Sequence, residues 1–101
     1  MNNVSVLIIE DTPAESEALV QVLTENNYTI AGVARTFSDA LALFYQQTVD
    51  IVIIDVFLNG NPDGIAFAET INITPDATRP FVFLTSSNDR QIFDRAKLTK
   101  P

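Results

Sequence analysis

The 101-residue sequence contains neither cysteine nor histidine. Without cysteine, a disulfide framework and a thiolate metal site are both excluded, and a cytoplasmic location is the natural expectation. Without histidine, the chain has no imidazole metal ligand, no histidine general base and no Ser-His triad. Metal ligation is therefore left to oxygen atoms.

Basic residues and long apolar runs are also scarce. The chain has 6 Lys and Arg against 13 Asp and Glu, a net charge of −7, which argues against direct nucleic-acid binding by this segment. No run approaches the ~18 apolar residues of a membrane span. The start, MNNVSVLIIEDTP, lacks the basic leader of a signal peptide. We expect one small folded domain over residues 1–101, with no membrane contact.

What the sequence does have is a regular alternation of hydrophobic periods. Short apolar runs rich in β-branched residues predict buried strands at 4–9, 28–34, 51–56 and 81–84. Helical patterns follow each run and open at Thr12, at Thr36 or Ser38, after Asp63-Gly64, and at about Asp89. Strand followed by helix, repeated in this way, predicts an α/β fold with a doubly wound parallel sheet.

The first helix has the clearest start. Thr12 is placed to cap it, Pro13 suits its first position, and Glu15 completes a capping box. Ala18, Leu19, Val22 and Leu23 are expected to form its inward apolar stripe.

Polar residues collect where the predicted strands end. Glu10-Asp11 follow the first strand, Asp55 ends the third, and Thr85-Ser86 end the fourth. If these strands are adjacent, the side chains meet at one edge, where crowded carboxylates repel one another unless a cation joins them. Oxygen ligands alone suit Mg²⁺, and an aspartate beside such an ion is a competent nucleophile toward phosphorus.

Each of these residues also has a plainer interpretation. Asp11 favours a helix N-terminus, Glu10 by itself is a solvated loop carboxylate, and Asp63-Gly64 is a turn that opens the third helix. Thr85 by itself is an ordinary strand-end residue. Asp55 is harder to explain, because an unpaired carboxylate after four aliphatic residues is costly.

Taken in order, the strand-end residues resemble the receiver domain of two-component response regulators. The resemblance rests on Glu10-Asp11, Asp55, Asp63-Gly64 and Thr85, and it runs from about Val4 to the end of the chain. It implies a flavodoxin-like fold and a cytoplasmic phosphoacceptor switch in signal transduction, not a turnover enzyme.

The resemblance also implies roles for individual residues. Asp55 would accept a phosphoryl group from a sensor histidine kinase or a phosphotransfer protein in a phosphorelay. Asp11, Asp55 and the backbone carbonyl of Phe57 would ligate Mg²⁺, with Glu10 acting mainly through water. Thr85 would swing its hydroxyl onto the phosphoryl group, with Ser86 close by.

The sequence departs from the family near its end. The family carries a Lys-Pro pair after a fifth strand, but Lys100-Pro101 follows Thr85 by only fifteen residues, with no apolar strand between them. We therefore expect the fifth strand, its lysine and the last helix to be absent. The domain would then be incomplete at its C-terminus and would not be a self-sufficient monomer, which makes a homodimer one expected outcome.

Two other functions stay open. A receiver-like protein-interaction module would share the fold without taking phosphate. A phosphohydrolase of the haloacid dehalogenase type would also use a strand-end aspartate, but its second aspartate is missing, because Val56-Phe57 follow Asp55. Nucleotide binding is disfavoured, since no glycine-rich loop follows the first strand.

Overall fold

The computed structural model describes residues 4–55, 58, 63–72 and 80–84. Within them, strands and helices alternate along the chain: β1 (Ser5–Ile9), α1 (Pro13–Glu25), β2 (Thr29–Ala34), α2 (Phe37–Gln46), β3 (Ile51–Asp55), α3 (Asp63–Asn72) and β4 (Phe81–Leu84). The predicted strands and the first three helices are confirmed within a residue or two. The helix predicted from about Asp89 lies outside the described residues.

The strands form one parallel sheet in the order β2-β1-β3-β4. β1 and β3 are central, and the register aligns Leu7 with Val52 and Ile9 with Ile54. This order confirms that the first, third and fourth strands are neighbours. It is the doubly wound, flavodoxin-like arrangement. β2 lies on one side of β1, and the chain then crosses back over β1 to place β3 and β4 on the other side.

One face of the sheet carries the main core. Alternate strand residues pack there with α2 and α3, where the rings of Phe44 and Phe67 meet edge to face at 5.7 Å. The buried members of this cluster are Leu7, Ile9, Ala34, Ala40, Phe44, Val49, Val52, Ile54, Leu58, Phe67, Ala68 and Phe81. The intervening residues of β1, Val6 and Ile8, are equally buried and face the other side. Helices on both faces explain why β1 is apolar at every position from Val6 to Ile9.

α1 lies on the opposite face of the sheet. The crossover from β1 to β2 moves across the sheet in one direction, whereas the crossovers from β2 to β3 and from β3 to β4 move in the other. Because such crossovers are right-handed, opposite directions place their helices on opposite faces. Its inward side is narrower than predicted. Leu19 and Leu23 are half-buried, whereas Ala18 is exposed and Val22 is 55% exposed. The prediction of a four-residue inward stripe is therefore wrong for Ala18 and Val22. The reason is that α1 packs mainly against β2 and β1, at one side of the sheet.

The helix starts differ in how they are capped. Of the two candidates for α2, Thr36 is the N-cap, and its hydroxyl accepts a hydrogen bond from the Asp39 backbone N–H at 3.1 Å. Thr12 occupies the N-cap position of α1, but its side chain makes no capping hydrogen bond. In the described part of the chain, no helix has the length and apolar character needed to cross a membrane.

Candidate functional site

The sheet itself brings Glu10 and Asp55 together. β1 and β3 pair in parallel up to Ile9 and Ile54, so the next residues along the same register are Glu10 and Asp55. The backbone N–H of Glu10 donates to the carbonyl oxygen of Ala34 at 2.9 Å, which extends the pairing of β1 with β2 by one residue. Both residues are therefore held by backbone hydrogen bonds at the carboxyl edge of the sheet.

Asp11 completes a cluster of three carboxylates at this edge. Glu10, Asp11 and Asp55 each offer one oxygen, and these oxygens all lie within 4.8 Å of one another. Asp11 and Asp55 are partly buried, whereas Glu10 is only 3% exposed. The plainer interpretation of Glu10 as a solvated loop carboxylate is therefore wrong.

Crowding and burial change the acidity of Glu10. Its pKa is raised from 4.5 to about 8, chiefly because burial penalises the charged form. A hydrogen bond with the Glu15 side chain, and then the hydrogen bond and negative charge of Asp55, raise the pKa further. The backbone N–H of Thr12 opposes the shift, because it donates to Glu10 Oε2 at 3.2 Å.

Glu15 belongs to this acidic cluster and not to the predicted capping box. In a capping box, Glu15 would accept from the backbone N–H of Thr12. The Glu10 carboxylate already occupies that position, and the Glu15 side chain interacts with Glu10 instead. The capping-box prediction is therefore wrong. The sequence signal for the observed role is weak: an acidic residue in the first turn of a helix that follows an acidic pair.

The donor set fits a hard divalent cation. Oxygen-only ligands from carboxylates are what Mg²⁺ prefers, and Mg²⁺ takes one or two of them while keeping several waters. A cation at this point would also remove the repulsion that helps to keep Glu10 protonated near neutral pH. The cluster of Glu10, Asp11 and Asp55 is therefore chemically suited to binding a divalent cation.

The remaining predicted residues divide into two groups. Asp63 and Gly64 are the first two residues of α3, which confirms that this pair opens the helix. Phe57, Thr85 and Ser86 lie outside the described residues, so their roles stay predictions. Leu84, which directly precedes Thr85, is the β4 partner of Asp55.

Comparison with known proteins identifies the same architecture. The family model of the response regulator receiver domain matches residues 6–99. The receiver domain of a modulated diguanylate cyclase from Desulfovibrio desulfuricans G20 is similar, with a TM-score of 0.88 and 30% identity over 99% of this chain and 78% of its own.

Two further solved structures show the same similarity. The receiver domain of a DNA-binding response regulator from Colwellia psychrerythraea 34H has a TM-score of 0.84 and 26% identity, covering 97% of this chain and 80% of its own. The receiver domain of a signal transduction histidine kinase from Syntrophus aciditrophicus has a TM-score of 0.83 and 28% identity, covering 94% of this chain and 71% of its own. This chain belongs to the response regulator receiver domain family.

Proposed function

We propose that this protein is a phosphoacceptor switch in which Asp55 takes a phosphoryl group from a histidine kinase or a phosphotransfer protein. The observation that carries the proposal is the convergence of Glu10, Asp11 and Asp55, whose oxygens lie within 4.8 Å of one another at the carboxyl edge of the sheet. Membership of the receiver family supports the same function.

The chemistry needs one nucleophilic oxygen. A carboxylate oxygen of Asp55 forms a bond to phosphorus as the phosphorus–nitrogen bond of the donor phosphohistidine breaks, and the electron pair of that bond leaves with the imidazole nitrogen. Bound Mg²⁺ would supply charge neutralisation for the phosphoryl oxygens. Asp11, Asp55 and the carbonyl of Phe57 would hold the ion directly, and Glu10 would hold it mainly through water.

Thr85 is the proposed sensor of the phosphoryl group, with Ser86 beside it. Support comes from the register: Leu84 pairs with Asp55, and Thr85 is the next residue in the chain. Phosphorylation adds roughly −1.5 to −2 charges. A hydroxyl that donates a hydrogen bond to a phosphoryl oxygen would link this added charge to the carboxyl end of β4. A partner protein would then bind the changed surface.

The wider setting follows from the same proposal. The protein acts as a cytoplasmic signalling switch and not as a turnover enzyme, and its partners are a kinase or phosphotransfer protein and an effector. Self-association as a homodimer is a further proposed state. Direct contact with nucleic acid is not expected from the described surface, in which Arg35 is the single basic residue.

The test is phosphorylation with a small donor. The protein is treated with acetyl phosphate and Mg²⁺, and the modified residue is mapped by mass spectrometry. We expect one added phosphoryl group on Asp55 and none on Asp55→Asn. Asp50→Asn, at the opposite end of the same strand, is the matched control and should label like the wild type.

Two outcomes would contradict the proposal. Labelling of Asp55→Asn at the wild-type level would place the phosphoryl group elsewhere. A folded wild-type protein that takes no phosphoryl group and binds no Mg²⁺ would support the protein-interaction module instead.

A further inference from the structure

The first turn of α3 packs directly onto the residue proposed to accept phosphate. Gly64, the second residue of α3, is buried against the end of β3. A Cβ atom added at Gly64 would overlap the backbone carbonyl oxygen of Asp55. It would also lie 2.9 Å from the carbonyl carbon of Asp55 and 2.9 Å from Cγ2 of Ile54. No side chain can be accommodated there unless the backbone moves.

The need for glycine at this position is one of space and not of backbone conformation. The φ angle of Gly64 does not lie in the left-handed region that favours glycine. Within a helix, alanine is intrinsically more favourable than glycine. Helix propensity alone would therefore favour alanine at position 64, and it is the contact with Asp55 that excludes it.

Gly32 in β2 provides a natural comparison within the same chain. A Cβ atom at Gly32 would meet the side chain of Leu43, with Cδ1 at 3.0 Å and Cδ2 at 3.2 Å. These methyl groups end a flexible side chain, and at these distances they need to shift by only a few tenths of an ångström. The carbonyl of Asp55 belongs to the backbone and cannot move without moving the residue itself.

We propose that Gly64 is a positioning residue for Asp55. Its missing side chain lets α3 close on β3, and the contact sets the position of the Asp55 peptide and so of its carboxylate relative to Glu10 and Asp11. This inference rests on the proposed phosphoacceptor function and extends it to the element that orients the acceptor. Because Mg²⁺ requires near-octahedral geometry at about 2.0–2.1 Å, a small displacement of one ligand weakens the whole site.

Gly64→Ala tests the inference, with Gly32→Ala as the matched control. Three quantities are measured for each protein: the far-UV circular dichroism spectrum in EDTA, the Mg²⁺ affinity by calorimetry, and the rate of phosphorylation at saturating Mg²⁺ over a range of acetyl phosphate concentrations. The rate and the affinity separate a positioning effect from general destabilisation, because both are measured at a temperature at which the variant is folded.

We expect Gly64→Ala to keep a folded spectrum but to lose roughly tenfold or more in maximal phosphorylation rate and about fivefold in Mg²⁺ affinity. The acetyl phosphate concentration at half-maximal rate should stay within about twofold, since the donor-binding surface is not altered. Gly32→Ala should remain within about twofold of the wild type in both rate and affinity. Gly64→Ser should resemble Gly64→Ala, because the clash arises at Cβ.

Each other outcome counts against the inference. Wild-type rate and affinity in Gly64→Ala would show that the contact does not orient Asp55. Failure of Gly64→Ala to fold even in the cold would show that the contact holds the domain together and not the site. Equal losses in both glycine variants would indicate general destabilisation. A wild-type protein that neither binds Mg²⁺ nor takes phosphate would refute the proposed function, and this inference with it.

Discussion

The two ends of β1 and β3 use acidic residues in opposite ways. At the amino ends, the exposed residue Asp50 accepts a hydrogen bond from the Ser5 backbone N–H at 2.8 Å, and its own N–H donates to the Ser5 carbonyl at 2.8 Å. At the carboxyl ends, Glu10 is buried beside Asp55, and its pKa is raised to about 8. The carboxylate at the amino end stabilises the sheet, whereas the buried one at the carboxyl end opposes folding when it is ionised. The second arrangement is unfavourable for folding and is what the proposed Mg²⁺ site requires.

The largest effect is expected for the pH dependence of stability. The pKa of Glu10 is 4.5 unperturbed and about 8 in the folded protein. The unfolded chain therefore loses its proton first, and the stability contributed by protonated Glu10 is complete below pH 4.5 and is lost as the pH rises to about 8. At 1.36 kcal/mol per pKa unit, the loss is on the order of 3–5 kcal/mol. Glu10→Gln should remove most of it, as measured by urea unfolding in EDTA across this pH range.

Glu17→Gln is the control for this experiment, because it removes one negative charge from the exposed side of α1. Its pH dependence should follow that of the wild type. If the free energy of unfolding of the wild type did not fall between these pH values, or fell equally in Glu10→Gln, burial and repulsion at Glu10 would not be the cause.

The second prediction concerns the cation. Millimolar Mg²⁺ should raise the melting temperature of the wild type, and at 10 to 100 times the dissociation constant the gain is about 1.4–2.7 kcal/mol. Asp11→Asn should reduce this gain, while the ion-free variant should be as stable as the wild type or slightly more so, because one repulsive charge is gone. Thermal melts with and without Mg²⁺ measure both effects.

Asp39→Asn is the matched control, since it removes an exposed carboxylate from the first turn of α2. It should keep the full Mg²⁺ shift. A shift of the same size in Asp11→Asn would contradict a site that includes Asp11, and no shift in the wild type would remove the site altogether.

Most of the sheet, and the place of the site on it, could be predicted from the sequence. Apolar runs with β-branched residues marked the strands, and parallel topology required their carboxyl ends to meet at one edge, which is why Glu10, Asp11 and Asp55 could be named together. The contact of Gly64 with Asp55 and that of Glu15 with Glu10 could not be predicted. Both contacts depend on how closely the start of a helix approaches the end of a strand. That distance is set by packing, and the hydrophobic periodicity of the sequence carries no information about it. The roles of Phe57, Thr85 and Ser86 stay predictions.

A smaller effect is expected at the amino ends of the strands. Asp50→Ala removes the side-chain acceptor of the Ser5 N–H, a hydrogen bond to a charged group on the exposed surface, and should cost about 1–2 kcal/mol of unfolding free energy. Because Asp50 lies at the other end of β3 from Asp55, Mg²⁺ affinity and phosphorylation should not change. Urea unfolding measures the first quantity, and calorimetry and labelling measure the others. A loss of Mg²⁺ affinity in Asp50→Ala would show that the two ends of the strand are coupled.

The smallest effects are expected at the two helix caps. Thr36 caps α2 through its hydroxyl, so Thr36→Ala should cost about 1 kcal/mol. Thr12 makes no such bond, and its backbone N–H is held by Glu10, so Thr12→Ala should change the free energy of unfolding by less than about 0.5 kcal/mol. Urea unfolding of both variants in EDTA decides the matter. Equal losses would contradict this prediction and would mean that the Thr12 hydroxyl stabilises the start of α1. A loss for Thr36→Ala alone is the expected result, because of these two threonines only Thr36 makes a capping hydrogen bond through its hydroxyl.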